Sequence, residues 1–198
     1  MQLENGWVSG ARQVPSPHCD ERPEHEAPSL LVVHNISLPP GCFGGEYIDR
    51  LFTGTLDPGD HPFFHQIYQL RVSAHCLIRR DGEIVQYVPF DKRAWHAGVS
   101  RFAGRERCND FSIGIELEGT DTLPYIEVQY ERLAELTALL MRHYPITPAR
   151  ITGHSDIAPD RKTDPGPSFM WRHYRQRVAA RGAAADTLPA AGCNPPRD

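Results

Sequence analysis

Apolar residues run without a break through Leu30, Leu31, Val32 and Val33, at the head of the stretch LLVVHN. Successive strand side chains point to opposite faces, so an unbroken apolar run predicts a strand covered on both sides, in the middle of a sheet. A different pattern governs FSIGIELEG. There, period two places Ile113, Ile115 and Leu117 on one face and Gly114, Glu116 and Glu118 on the other, with Gly114 leaving space beside a carboxylate. In VSAHCLIRRDGEIVQYV, Asp81 and Gly82 lie between two β-rich runs, which predicts a hairpin with a type I′ turn.

Helical spacing appears later in the chain. Tyr130, Leu133, Leu136 and Leu140 predict a helix over residues 128–144, with Gln129, Arg132 and Glu135 outward and Pro145 stopping it. A second helix is expected over 168–180, capped by Ser168, ended before Gly182, and turning Met170, Tyr174 and Val178 inward. Residues 41–65 are rich in Gly, Pro and Asp and read as a long excursion around one short helix near 46–52. From Ala183 the periodicity disappears, so 183–198 is expected to be a flexible tail behind a single domain of residues 1–182. The predicted fold class is mixed α/β: a central mixed β-sheet flanked by α-helices, with long loops.

The stretch GHSDIAPDRKTDPG, residues 153–166, fits neither period. Prolines fix backbone angles and withhold N–H donors, so this is an ordered loop, and it carries His154, Lys162 and the aspartates Asp156, Asp160 and Asp164. His34 stands at the end of the buried strand. Two imidazoles and one carboxylate, with a fourth position left to water, form a catalytic zinc set, so His34, His154 and one aspartate of the loop are candidate ligands. Glu116 is a candidate general base, although nothing within the strand chooses between it and Glu118. His75, in the first strand of the hairpin, could be a further ligand or base, but reads first as a core residue or as a support for the site. Each feature also has a plainer reading: a hydrogen-bonded strand-end histidine, turn-capping aspartates and a solvated strand glutamate.

Composition bounds the alternatives. A chain of 198 residues with 40% apolar content suits one domain with a full core. Five cysteines, odd in number and without a CxxC pair, read as reduced thiols. The first residues lack a basic start followed by an apolar run, and no segment is long enough to span a bilayer, which leads to the expectation of a cytoplasmic protein with no membrane partner. A formal charge of −4 argues against nucleic-acid binding. There is no GxSxG, so no serine-nucleophile motif competes with the metal reading.

Taken together, LLVVHNISLPPG, VSAHCLIRRDGEIVQYV, RAWHAGVS, CNDFSIGIELEGTDT and GHSDIAPDRKTDPGP resemble the zinc-dependent N-acetylmuramoyl-L-alanine amidases of the phage-amidase and peptidoglycan-recognition-protein type, from about Trp7 to about Val178. The resemblance implies one Zn2+ held by His34, His154 and Asp164. It gives Glu116 the role of activating the attacking water and Lys162 that of stabilising the charge that develops on the substrate carbonyl. The implied reaction is hydrolysis of the amide between 1,6-anhydro-N-acetylmuramic acid and L-alanine in soluble anhydromuropeptides. It would serve peptidoglycan recycling and, through it, limit β-lactamase induction. Asn35, Arg71, Trp95 and Arg107 lie in the matching segments and are expected to bind substrate, since guanidinium groups pair with stem-peptide carboxylates in a bidentate manner. A monomer is expected. The alternatives are a non-catalytic peptidoglycan-fragment binding module and an interaction protein with incidental histidines.

Overall fold

The computed structural model describes residues 1–186; the tail expected at 183–198 lies outside them from residue 187 onward. Six strands form the main sheet: β1 (Arg12–Gln13), β2 (Leu30–Ile36), β3 (Cys76–Ile78), β4 (Ile84–Gln86), β5 (Ser112–Glu118) and β6 (Ile151–Gly153). Their spatial order is β6-β2-β5-β3-β4-β1. The pairs β6–β2, β2–β5 and β5–β3 are parallel, β3–β4 is antiparallel and β4–β1 is parallel, so the sheet is mixed. As its unbroken apolar run predicts, β2 is interior, with Leu30 through Val33 fully buried.

Helices α2 (Glu127–His143) and α4 (Trp171–Asp186) cover one face of the sheet. Leu31, Val33, Ile113, Ile115 and Leu117 meet Leu133, Leu136, Leu140, Tyr174 and Val178 there in one apolar cluster. The opposite face is covered by α1 (Tyr47–Thr53), which packs Ile48, Leu51 and Phe52 with Leu77 and Val85, and by the short α3 (His154–Ile157) among loops. The functional residues lie on this loop-covered face. Among the described residues, no helix is long and apolar enough to cross a membrane.

Several local expectations need correction. The β3–β4 connection is not a type I′ turn, because Gly82 takes a positive φ of 87° and Asp81 does not. Instead, the Arg79 C=O accepts from the Gly82 N–H, the Arg79 N–H donates to the Glu83 C=O, and the Asp81 carboxylate accepts from the Glu83 N–H. A single left-handed glycine after a tight turn closes a longer hairpin loop. Gln129 is fully buried rather than outward. Its amide donates to the Ile78 and Glu118 carbonyls and accepts from the Ile126 N–H, so it satisfies strand-end groups that the sheet leaves open. The last helix begins at Trp171, leaving Met170 exposed, and Ser168 does not cap it but donates its hydroxyl to the Thr120 C=O. It also runs through Gly182 to Asp186, because the alanines around that glycine offset a local cost of about 1 kcal/mol.

Candidate active site

β2 and β5 set the first half of the site. In their parallel register His34 lies directly beside Glu116, and both side chains emerge on the face away from α2 and α4. Both are buried, and Glu116 Oε2 has no hydrogen-bond partner. Glu118, two residues on, is engaged away from the cleft. Its carboxylate accepts from Arg79 Nη1 at 3.2 Å, the Gly44 N–H at 3.1 Å and the Arg80 N–H at 3.2 Å. That network occupies Glu118 and leaves Glu116 as the carboxylate open to the cleft.

The second half comes from residues 153–166. β6 delivers the chain to α3, whose first residue is His154; Asp156 accepts from the Gly153 N–H and the Thr152 hydroxyl, so this aspartate caps the turn. The Ser155 N–H donates to the Asp164 C=O at 2.9 Å, which ties the start of the loop to its end. His34 Nδ1 lies 3.0 Å from His154 Nδ1, and each lies 3.2 Å from Asp164 Oδ2. Asp160 is exposed and is not part of this cluster.

These three contacts make a nearly equilateral triangle of donor atoms. A tetrahedral zinc site with ligand arms of 2.0–2.1 Å has edges of about 3.3 Å, so the triangle is the size of one face of such a site. The chemistry of the set fits too, with two imidazoles, one carboxylate and an open fourth direction. His154 Nε2 donates to the Ala97 C=O at 3.0 Å, which leaves the Nδ1 lone pair facing the centre of the triangle. Burial lowers the His34 pKa to about 4, prevailing over the contact with Asp164, so His34 is neutral near pH 7. Burial alone would raise the Asp164 carboxyl, but its close contacts with the His154 and His34 imidazoles outweigh burial and hold the group well below the carboxylate range. Burial, and then the charge of Asp164, push the Glu116 carboxyl well above its ordinary value, with Lys162 opposing.

A cleft of about 750 Å³ contains His34, Asn35, Trp95, Glu116, His154, Lys162 and Asp164 together. The Lys162 ammonium has no hydrogen-bond or ion-pair partner among the described residues. The expected substrate anchors are less uniform. Asn35 donates its amide to Asp121 Oδ1, Tyr125 Oη and the Pro165 C=O, which leaves only Oδ1 for a ligand. Trp95 stacks under the Arg93 guanidinium, 4.3 Å from the ring centroid, and Asp20 and Asp110 fix that guanidinium in turn. Trp95 and Arg161 also line a second cavity of about 940 Å³, and Arg107 lies there rather than in the cleft. Arg71 is exposed and lines neither cavity, although Leu70 and Val72 on either side of it border the cleft.

His75 is not part of the triangle. Its Nδ1 accepts from the Gly114 N–H and its Nε2 donates to the Lys92 C=O, the core role foreseen as one of its readings. One participant escaped the sequence reading altogether: His96, whose Nδ1 lies 2.8 Å from His34 Nε2. It follows Trp95 in an aperiodic segment, and the only sequence sign is the glycine of β5 that makes room for it. A Cβ on Gly114 would fall 2.4 Å from His96 Cγ, so the space this glycine leaves is filled by an imidazole and not by the Glu116 side chain.

Comparison with known proteins shows the family. The model of the family described as N-acetylmuramoyl-L-alanine amidase matches residues 24–167. The 1,6-anhydro-N-acetylmuramyl-L-alanine amidase AmpD of Escherichia coli (strain K12) is 70% identical over 179 residues, covering 90% of this chain and 98% of that protein. The crystal structure of a selenomethionine AmpD derivative superposes with a TM-score of 0.89 at 69% identity, covering 90% of this chain and 99% of that one. A complex of the E. coli amidase AmiD with anhydro-N-acetylmuramic acid-L-Ala-D-γ-Glu-L-Lys matches with a TM-score of 0.57 at 31% identity, covering 77% of this chain and 58% of that one.

Proposed function

The chain belongs to the N-acetylmuramoyl-L-alanine amidase family, and from that membership we propose that it hydrolyses the amide between the lactyl group of 1,6-anhydro-N-acetylmuramic acid and L-alanine in soluble anhydromuropeptides. The observation that carries this reading is the triangle of His34, His154 and Asp164 beside a buried carboxylate without a partner. These three residues would hold one zinc ion. When bound, the ion would acidify a water and polarise the scissile carbonyl.

Glu116 is poised for proton transfer. Burial raises its pKa, and the nearby Lys162 limits the rise, so the carboxylate accepts the proton of the attacking water and later returns it to the leaving amine. Lys162 offsets the negative charge that grows on the carbonyl oxygen, with an ammonium that is not already committed to a protein carboxylate. Trp95, held flat by Arg93, offers a rigid apolar face for the sugar and its lactyl arm, and Arg71, Arg107 and Asn35 remain the proposed contacts to the peptide stem. A binding module without catalysis is the weaker reading, because both proton-transfer and charge-stabilising groups stand beside the ligand set.

We further place the protein in the cytoplasm as a monomer, with residues 1–182 as its catalytic domain. Recycling of wall fragments there removes the muropeptides that signal β-lactamase induction. The test is a rate comparison, with products identified by mass spectrometry. Soluble anhydromuropeptides should be cleaved to a free peptide stem and the anhydro sugar much faster than purified sacculi release peptide. Comparable rates on both would overturn the soluble-fragment reading.

A further inference from the structure

The face of β5 that carries Glu116 gives every alternate residue its own role. Glu118 anchors Arg79 and Glu116 faces the cleft; Gly114 and Ser112 serve His96. The His96 ring lies edge-on to His34, with centroids 4.9 Å apart and planes at 88°. It sits flat against the backbone at Gly114, where no other residue would leave room. Its Nδ1 is 2.8 Å from His34 Nε2, and its Nε2 is 3.0 Å from Ser112 Oγ.

We propose that His96 is a positioning residue for the metal site: it accepts the Nε2–H of His34, passes its own Nε2–H to Ser112, and so holds His34 as the tautomer whose Nδ1 lone pair faces His154 and Asp164. This inference rests on the reading of His34, His154 and Asp164 as zinc ligands and deepens it. An imidazole that binds a metal through one nitrogen needs an acceptor for the proton on the other. His154 has the Ala97 carbonyl for that purpose. A backbone carbonyl can only accept. His34 has a second imidazole, which accepts only while its own proton lies on the far nitrogen.

Two features are compatible with that state. The Ser112 hydroxyl is buried at its far side. Behind it, the buried Arg22 guanidinium donates to the Ser112 and Phe90 carbonyls and faces His75 Nε2 at 3.2 Å, so its positive charge opposes an imidazolium in this layer.

The test uses zinc-loaded and zinc-free full-length protein. Imidazole nitrogen spectra of the loaded wild type should show His34 protonated at Nε2 and His96 protonated at Nε2; a His34 proton on Nδ1 would overturn the proposal without any variant being needed. In chelator competition, His96→Leu should bind zinc about 10–100-fold more weakly than wild type, the usual range for loss of such a supporting contact. His96→Asn, which keeps an oxygen acceptor near the Nδ1 position, should recover most of that affinity. Melting curves of the zinc-free variants separate this loss from a folding defect. Should His96→Leu fail to fold, Ser112→Ala tests the same chain from its far end and should weaken zinc several-fold. Wild-type affinity in a folded His96→Leu protein would exclude the role for His96 while leaving the three-ligand reading intact. Absence of zinc binding by the wild type would instead remove that reading and this inference with it.

Discussion

The two halves of the active site are held in different ways. His34 and Glu116 sit side by side on adjacent parallel strands, where the ladder fixes their separation and a packed sheet lies behind them. Lys162 and Asp164 sit on a loop whose position depends on scattered hydrogen bonds, among them Ser155 N–H to the Asp164 C=O, Lys162 N–H to the Ala158 C=O and the Thr163 hydroxyl to Asp121. The strand half therefore supplies a fixed frame, and the loop half brings charge to it. Loops with few buried contacts open more readily than core strands. In this site, the metal reading requires both halves at once, because the triangle takes His34 from one and His154 with Asp164 from the other.

Removing any corner of the triangle should have the largest effect. His34→Ala, His154→Ala and Asp164→Ala should each lose zinc and activity together, as measured by metal analysis and amidase assay on the same sample. If Asp164→Ala kept stoichiometric zinc, the loop half would not be holding the ion. Next in size, Glu116→Ala and Lys162→Ala should keep their zinc, with turnover falling by roughly 100-fold or more for the glutamate. Loss of zinc from Glu116→Ala would make it a ligand instead.

Neighbours on one strand face sharpen the comparison further. Glu118→Ala removes the most buried of the three carboxylates paired with Arg79, and breaking a buried ion pair typically costs about 3–5 kcal/mol. Denaturant unfolding should show that loss, while turnover per folded molecule stays close to wild type. An unchanged stability would mean that the ion pairs Arg79 already makes with Asp49 and Glu83 are enough to hold its charge.

The smallest effect concerns protonation of the zinc-free protein. A carboxyl whose folded pKa is raised contributes its full stabilisation below the unfolded pKa and loses it as pH rises through the folded pKa. Glu116 is such a group, because burial raises its pKa. Glu116→Gln should therefore melt higher than wild type at neutral pH, and the gain should vanish below about pH 4, where the wild-type carboxyl is protonated in both states. An equal gain at both pH values would trace the effect to packing.

The same division governs what the sequence made legible. Period-two and unbroken apolar patterns located β2 and β5, and with them His34 and the Glu116 face, because those patterns report burial directly. The loop offered three aspartates that local chemistry treats alike. Asp156 turns out to be a helix cap, bound by its neighbours Thr152 and Gly153, whereas Asp164 becomes a corner of the triangle by meeting His34, 130 positions away. His96 was hidden for a related reason: its significance lies in touching His34 and Gly114, neither of which is near it in the chain. Gln129 was misread because helical spacing predicts which way a side chain points. It cannot foresee that open strand-end carbonyls will recruit an amide.

The most direct measurement of the central claim is a zinc titration of metal-stripped protein, followed by amidase turnover on a soluble anhydromuropeptide. The account predicts negligible turnover without metal and a linear rise that breaks at one zinc per chain. Full turnover in the stripped protein, or a break at a different stoichiometry, would contradict it.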